Sequence, residues 1–307
     1  MTDTPLDIPK LIDFRPEPGA FADRVILVTG AADGIGRQIA EACAAAGAVV
    51  VLLDKDIKGL ERVYDAIEAA GHPQPAIYPL NHEGATVKDY GEMAESIRDS
   101  LGRLDGVVLN AGWAGTLTPL KQYDPELWFK VVNANLNGPF FLVQAVIPLL
   151  EASPTGSLVI STQDASRAYW GAFGMAKAAQ ESLLEILHRE HRHEGGFIHV
   201  NGVDTGPVRT RFRRAHYPGE DPASLPAPED TVGPYLYFLD PGDPAVTGHN
   251  LRLEGPPNER HLVDRRTGKR WHPPPGMTER ADHPPDGSPG AAATCAATQP
   301  GLFTLAD

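Results

Sequence analysis

Residues 24–54 read RVILVTGAADGIGRQIAEACAAAGAVVVLLD, and their pattern decides the fold. The run 24–29 is short and apolar and reads as a buried strand. Positions 34–46 are Ala-rich with helical spacing, and 49–53 form a second apolar run. Strand, helix and strand make one βαβ unit, and between the first two stands TGAADGIG, residues 29–36, with Gly30, Gly34 and Gly36. Such a loop lets the backbone at Asp33, Gly34, Ile35 and Gly36 approach a pyrophosphate, and the N-terminus of the following helix offers it free N–H groups and a positive dipole end. The second strand ends at Asp54. A carboxylate there accepts hydrogen bonds from both hydroxyls of an adenine ribose and repels a 2′-phosphate, which favours NAD over NADP. Lys55 beside it partly offsets that repulsion.

The alternation continues outward. Helices are expected near 57–70 and 87–101 and strands near 76–80 and 107–110. A long helix follows near 126–150, then a strand at 157–161, a helix near 171–191 and a strand at 198–203. A last helix is expected at 231–238 and a short strand at 250–253. Strands separated by helices imply one α/β domain built on a doubly wound parallel sheet, spanning 24–253 behind an N-terminal extension of residues 1–23. After Glu254 come nine of the 29 prolines and then a stretch rich in Ala, Thr, Gly and Ser. That composition has few large apolar residues, so 254–307 reads as a Pro-rich, mostly disordered tail, with a weak hairpin signal at 261–271 turning at Thr267-Gly268.

Bulk chemistry excludes several classes. A net charge of −13 opposes binding to nucleic acid. Cys43 and Cys295 form neither a metal spacing nor a disulfide framework. The N-terminus lacks a signal-peptide pattern, and the most apolar stretch, 140–150, is interrupted by Gln144 and Pro148, so a cytoplasmic protein without a membrane anchor is expected.

TGAADGIG resembles the TGxxxGxG loop of the short-chain dehydrogenase/reductase family, and Asn110-Ala111-Gly112 resembles that family's NAG motif. The likeness runs from about Arg24 to Leu253. Within the family, RVILVTGAADGIGR, LDGVV, AYWGAF and the long loop before PYLYFL are most similar to the YciK-type bacterial oxidoreductases. The resemblance implies a Rossmann fold and hydride transfer between a nicotinamide cofactor and an alcohol/carbonyl substrate. By position it makes Asn135, Ser161 and Lys177 the counterparts of the catalytic Asn, Ser and Lys. Asn110, Ala111 and Gly112 would line the cofactor site, Asn81 would contact the adenine, and Thr210 in TGPVRT would stand near the nicotinamide carboxamide.

One member of the set is missing. The family's YxxxK becomes Phe173-Gly-Met-Ala-Lys177, and none of the eight tyrosines is followed four residues later by lysine. In the family the tyrosine, its pKa lowered by the lysine, gives or takes the proton, and a phenyl ring does neither. Two readings stay open: an enzyme whose proton comes from a water held by Ser161, Asn135 and Lys177, and a catalytically silent nucleotide-binding protein acting as a sensor or partner subunit. A tail-mediated scaffold is a third. Tyr169, four residues before Phe173, is either a substitute acid or a packing residue. Arg209, Arg211, Arg213 and Arg214 with His216 either recognise an anionic substrate or form a solvated face. His188, His191 and His193 read as a polar helix end, with no metal site expected. The small residues Ala176, Ala178 and Ala179 suit close helix approach in a homodimer or homotetramer.

Overall fold

The computed structural model describes residues 12–192, 198–240, 246–255 and 261–270. Val25–Thr29 (β1) is buried at all five positions, as a strand covered on both faces must be. It leads through the glycine loop into Gly34–Ala45 (α1), Val49–Asp54 (β2), Ile57–Ala69 (α2), Ala76–Pro79 (β3), Val87–Leu101 (α3) and Gly106–Leu109 (β4). The second half adds Pro125–Val132 (α4), Gly138–Glu151 (α5), Ser157–Ser161 (β5), Gly171–Glu190 (α6) and His199–Asp204 (β6). It ends with Arg211–His216 (α7), Gly233–Leu239 (α8), Asn250–Glu254 (β7) and His261–Asp264 (β8).

The sheet order is β3-β2-β1-β4-β5-β6-β7-β8, parallel except for the final antiparallel pair. The α/β doubly wound fold expected from the alternation is therefore present as a single domain. The order reverses direction between β1 and β4, and in such sheets the crevice outside the strand C-termini at that switch is the ligand position. Helices α1, α2 and α8 pack on one face with Val28, Val108 and Val159, and α3, α5 and α6 pack on the other with Leu27, Leu158 and Ile160.

Three boundaries differ from the sequence reading. The segment expected as one helix over 126–150 is divided by a π turn, Asn133–Asn137. Gly138 donates to the carbonyl of Asn133, and Pro139, which has no N–H, sits in the first turn of α5. The extension is not separate from the domain at its C-terminal end. Ile12 and Phe21 are buried in the core, and Phe14 packs edge-on against Tyr237 with ring centres 5.5 Å apart. The expected boundary at 253 falls inside β7, and the sheet runs on to Asp264. β8 pairs Leu262 with Leu253 and His261 with Glu254, and Val263 bridges to Arg270 across a turn. Residues 271–307, including Cys295 and most of the expected tail, lie outside the described residues.

Candidate active site

The crevice at the switch point is a groove of about 460 Å³, within the range of small-molecule sites. Its floor is tied together by Thr29, whose Oγ1 accepts from the amides of Asn110 and Ala111, both at 3.0 Å. Gly30 and Gly34 adopt left-handed backbone (φ 71° and 58°). A Cβ at Gly36 would stand 2.2 Å from the carbonyl oxygen of Gly30, so no other residue lets α1 pack this closely onto β1. Asp33 caps α1 by accepting from Gly34 at 2.8 Å. The amides of Ile35 and Gly36 lie in the first turn, where the helix supplies no acceptor. This cradle fits the pyrophosphate of a dinucleotide.

Asp54 stands at the groove edge with one oxygen accepting from Ala32 (3.3 Å) and the other from Asp56 (3.0 Å). Lys55 is ion-paired to Glu83. Asn81, Asn110, Ala111, Gly112 and Thr210 also line the groove. The Thr210 methyl comes within 3.2 Å of where a Gly34 side chain would begin. Gly36 and Asn135 do not line it; they shape it from behind.

At the far end Lys177, 5% exposed, reaches in from α6. Its Nζ donates to the carbonyl of Ser161 and to Oε1 of Gln180, both at 2.9 Å, which leaves its third N–H for the groove. Burial lowers its pKa to about 8, against the opposing pull of Asp204 and Glu181. Gln180 in turn donates to the main-chain carbonyl of Asn135 at 2.6 Å. No motif marked Gln180; its only signal is a spacing of three from Lys177 on one helix.

Three sequence-based roles change. Asn135 was expected to hold a relay water, but its carbonyl takes Gln180 and its side chain clasps the backbone of Trp113 (2.7 and 3.0 Å), so it positions other groups. The Ser161 hydroxyl was expected beside the reacting oxygen. Side chains alternate along β5, so Ser161 shares the face of Val159 and points to α8, where its Oγ lies 2.9 Å from the Tyr235 hydroxyl and 3.3 Å from Asn110 Oδ1. Phe173 and Lys177 approach from the other face. Tyr169 precedes α6, has left-handed backbone (φ 72°) and is 59% exposed, so it does not project with Phe173 as a substitute acid.

Two arginines of the basic cluster are paired with acids outside it. Arg213 makes two bonds to Glu220 (2.6 and 2.8 Å) and stacks on Tyr217, while Arg211 pairs with Asp33 at 3.1 Å and Asp56 at 3.7 Å. Arg209 and Arg214 are exposed. His188 contacts Thr247 and His191 contacts Glu151, and His193 lies outside the described residues. Among the described residues no group of three or more His, Cys, Asp or Glu could hold a metal ion, and no helix is long and apolar enough to cross a membrane. Cys43 is buried, which pushes its thiol up to about 12 and leaves it inert.

The family profile described as short chain dehydrogenase matches residues 24–221. The chain belongs to this family. Membership makes it, in general terms, an NAD(P)-dependent oxidoreductase, and the YciK likeness read from the sequence is borne out. The oxidoreductase YciK of Escherichia coli (strain K12) is 35% identical over 238 residues, which cover 76% of this chain and 93% of that protein. Among solved structures, one from Pseudomonas syringae assigned to the family is 40% identical with a TM-score of 0.74, over 78% of this chain and 98% of that one. Another, from Shigella flexneri, is 35% identical with a TM-score of 0.73, over 77% and 99%, and was solved in complex with NADP.

Proposed function

We propose that this chain is an NAD(H)-preferring oxidoreductase that interconverts an alcohol and a carbonyl compound without a tyrosine proton donor. The observation that carries the reading is Lys177, a buried ammonium group held by two acceptors that lines the dinucleotide groove with Nζ 5.9 Å from the centre of the Phe173 ring. A bound nicotinamide supplies the hydride chemistry. Lys177 then does two jobs: it orients the nicotinamide ribose, and its remaining N–H brings positive charge and a proton, through one water, to the substrate oxygen as that oxygen gains charge. Gln180 and the carbonyls of Ser161 and Asn135 hold Lys177 in place.

The protonation state of Lys177 sets the expected pH dependence. Carbonyl reduction needs the cationic form, so kcat/KM for reduction falls as pH rises through about 8, and alcohol oxidation rises over the same interval. Lys177→Arg, which stays charged, removes that break. A profile unchanged by the substitution sinks the assignment.

Asp54 supports NAD over NADP, because its carboxylate is fixed at the groove edge and Lys55 is engaged by Glu83. The NADP held by the Shigella flexneri relative speaks for the other cofactor, so the preference rests on Asp54 alone. Titration is expected to show NADH binding at least about tenfold tighter than NADPH, with the gap closing in Asp54→Ser. NADPH binding as tightly as NADH would assign this chain its relative's cofactor instead.

The second reading, a nucleotide-binding protein that does not turn over, rests on Phe173. It predicts dinucleotide binding with no oxidation or reduction of any alcohol or carbonyl. A cytoplasmic location and self-association as a homodimer or homotetramer complete the proposal. For the latter α6 offers Met175, Ala178 and Ile186 outward, while Ala176 is buried within the chain.

A further inference from the structure

Building on that reading of the groove, we infer that its substrate end takes an uncharged carbonyl compound with a flat, aromatic-sized apolar body. The walls there are Trp113, Leu117, Trp170, Phe173, Phe212 and Tyr217. The rings form a continuous surface: Trp170 and Phe173 have centres 5.4 Å apart, and Phe173 and Phe212 5.8 Å. Phe173 is central to it. The ring that deprives the site of a phenolic hydroxyl also keeps the centre of this wall apolar.

The polar groups of Trp170, Tyr217, Arg213 and His216 around these walls have partners within the chain. Trp170 Nε1 donates to the Tyr217 hydroxyl at 2.9 Å. Arg213 stacks 3.6 Å from the centre of the Tyr217 ring while Glu220 takes two of its N–H groups. His216 sets its two ring nitrogens against the carbonyls of Phe212 and Gly115, at 2.8 and 3.2 Å. Arg211 faces Asp33 and Asp56, at the dinucleotide end. With Lys177 committed to the reacting oxygen, a carboxylate or phosphate elsewhere on the substrate would meet aromatic faces and a guanidinium already paired with Glu220, and an unpaired charge in such surroundings is strongly disfavoured. An aromatic body stacks on these faces and removes apolar surface from water on both sides. Of the two roles open to the arginine cluster, the geometry favours wall-building over anion recognition.

The test uses the full chain saturated with NAD⁺, with which a ketone cannot be reduced, and follows binding by calorimetry. Acetophenone represents the aromatic ketones, and pyruvate and dihydroxyacetone phosphate represent charged carbonyls. Acetophenone is expected to bind at least about tenfold tighter than either anion. Trp170→Ala should weaken acetophenone several-fold without changing NAD⁺ affinity. Because that change opens the wall and could disturb folding, Leu117→Arg provides an independent arm: a free cation at the half-exposed Leu117 should weaken acetophenone and strengthen pyruvate. Failure of acetophenone to bind, or tighter binding of either anion by the unaltered chain, overturns the inference while NAD⁺ binding leaves the oxidoreductase reading standing. Failure of NAD⁺ itself to bind would remove the reading beneath it.

Discussion

Phe173→Tyr is expected to raise the rate of carbonyl reduction by about 10²- to 10⁴-fold, the contribution of a positioned general acid. In barrier terms that is about 3–5 kcal/mol. The geometry favours a functional rather than a merely tolerated hydroxyl. The edge of the Phe173 ring and Lys177 Nζ each lie 3.9 Å from the point where a side chain on Gly112 would begin, so ring and ammonium face the same small space. A phenol in that space stands beside a cation that favours its ionised form, which lowers its pKa toward the working range. The measurement is kcat for one alcohol/carbonyl pair in both proteins, with NADH affinity determined separately. A gain in kcat at unchanged NADH affinity establishes that the scaffold is competent and lacks only the donor. If the unaltered chain turns over and tyrosine adds nothing, the Lys177 route is already complete and the Phe173 wall serves the substrate.

How much of this was legible in the sequence follows from how local each feature is. The glycine loop reads directly because a left-handed turn and a close helix approach each demand glycine, and both fall within a few residues of the helix that Asp33 caps. Gly36, with no room for a Cβ, is the sharpest case. The βαβ alternation reads equally well because parallel strands need crossover helices. Ser161 was misread for a different reason. Its place at a strand end was legible, but which face it serves depends on the parity of the register, and one residue of offset carries a side chain to the opposite side of the sheet. Gln180 and Tyr235 were invisible because they act through contacts with residues 45 and 74 positions away. The C-terminal strand was hidden by composition. Prolines flank it, and its partner β7 is reached only when the sheet has formed.

That strand carries the other large prediction. Arg265→Met is expected to destabilise the fold by about 3–5 kcal/mol at neutral pH, the cost of removing one partner from a buried charge pair. Arg265, 17% exposed, places Nη1 at 2.5 Å from Glu181 and 3.2 Å from Asp204, the first on α6 and the second at the end of β6. Asp204 is 2% exposed and accepts from the amides of Gly206 and Asp164 at 2.9 and 3.0 Å. Burial raises the carboxyl pKa of both acids, and Arg265 opposes the rise in each. Without the arginine the two pKa values rise further above their unfolded values. The folded state then holds protons that the unfolded state has released, and stability falls as pH rises through that interval. The deficit of the variant is therefore largest at neutral pH and shrinks as pH falls toward the ordinary carboxylate range, where protonation removes the unpaired charges. Thermal melts at pH 7 and pH 4 should show it: a drop in Tm on the order of 10 °C at the higher pH and a much smaller one at the lower. Arg265→Lys should recover only part of the loss, because it restores the charge on a shorter side chain whose ammonium stops short of the position from which Nη1 meets both acids. Equal melting of Arg265→Met and the unaltered chain at pH 7 would show that β8 is held by its strand pairing and by buried Leu262 alone, and that Asp204 needs no partner beyond its two amides.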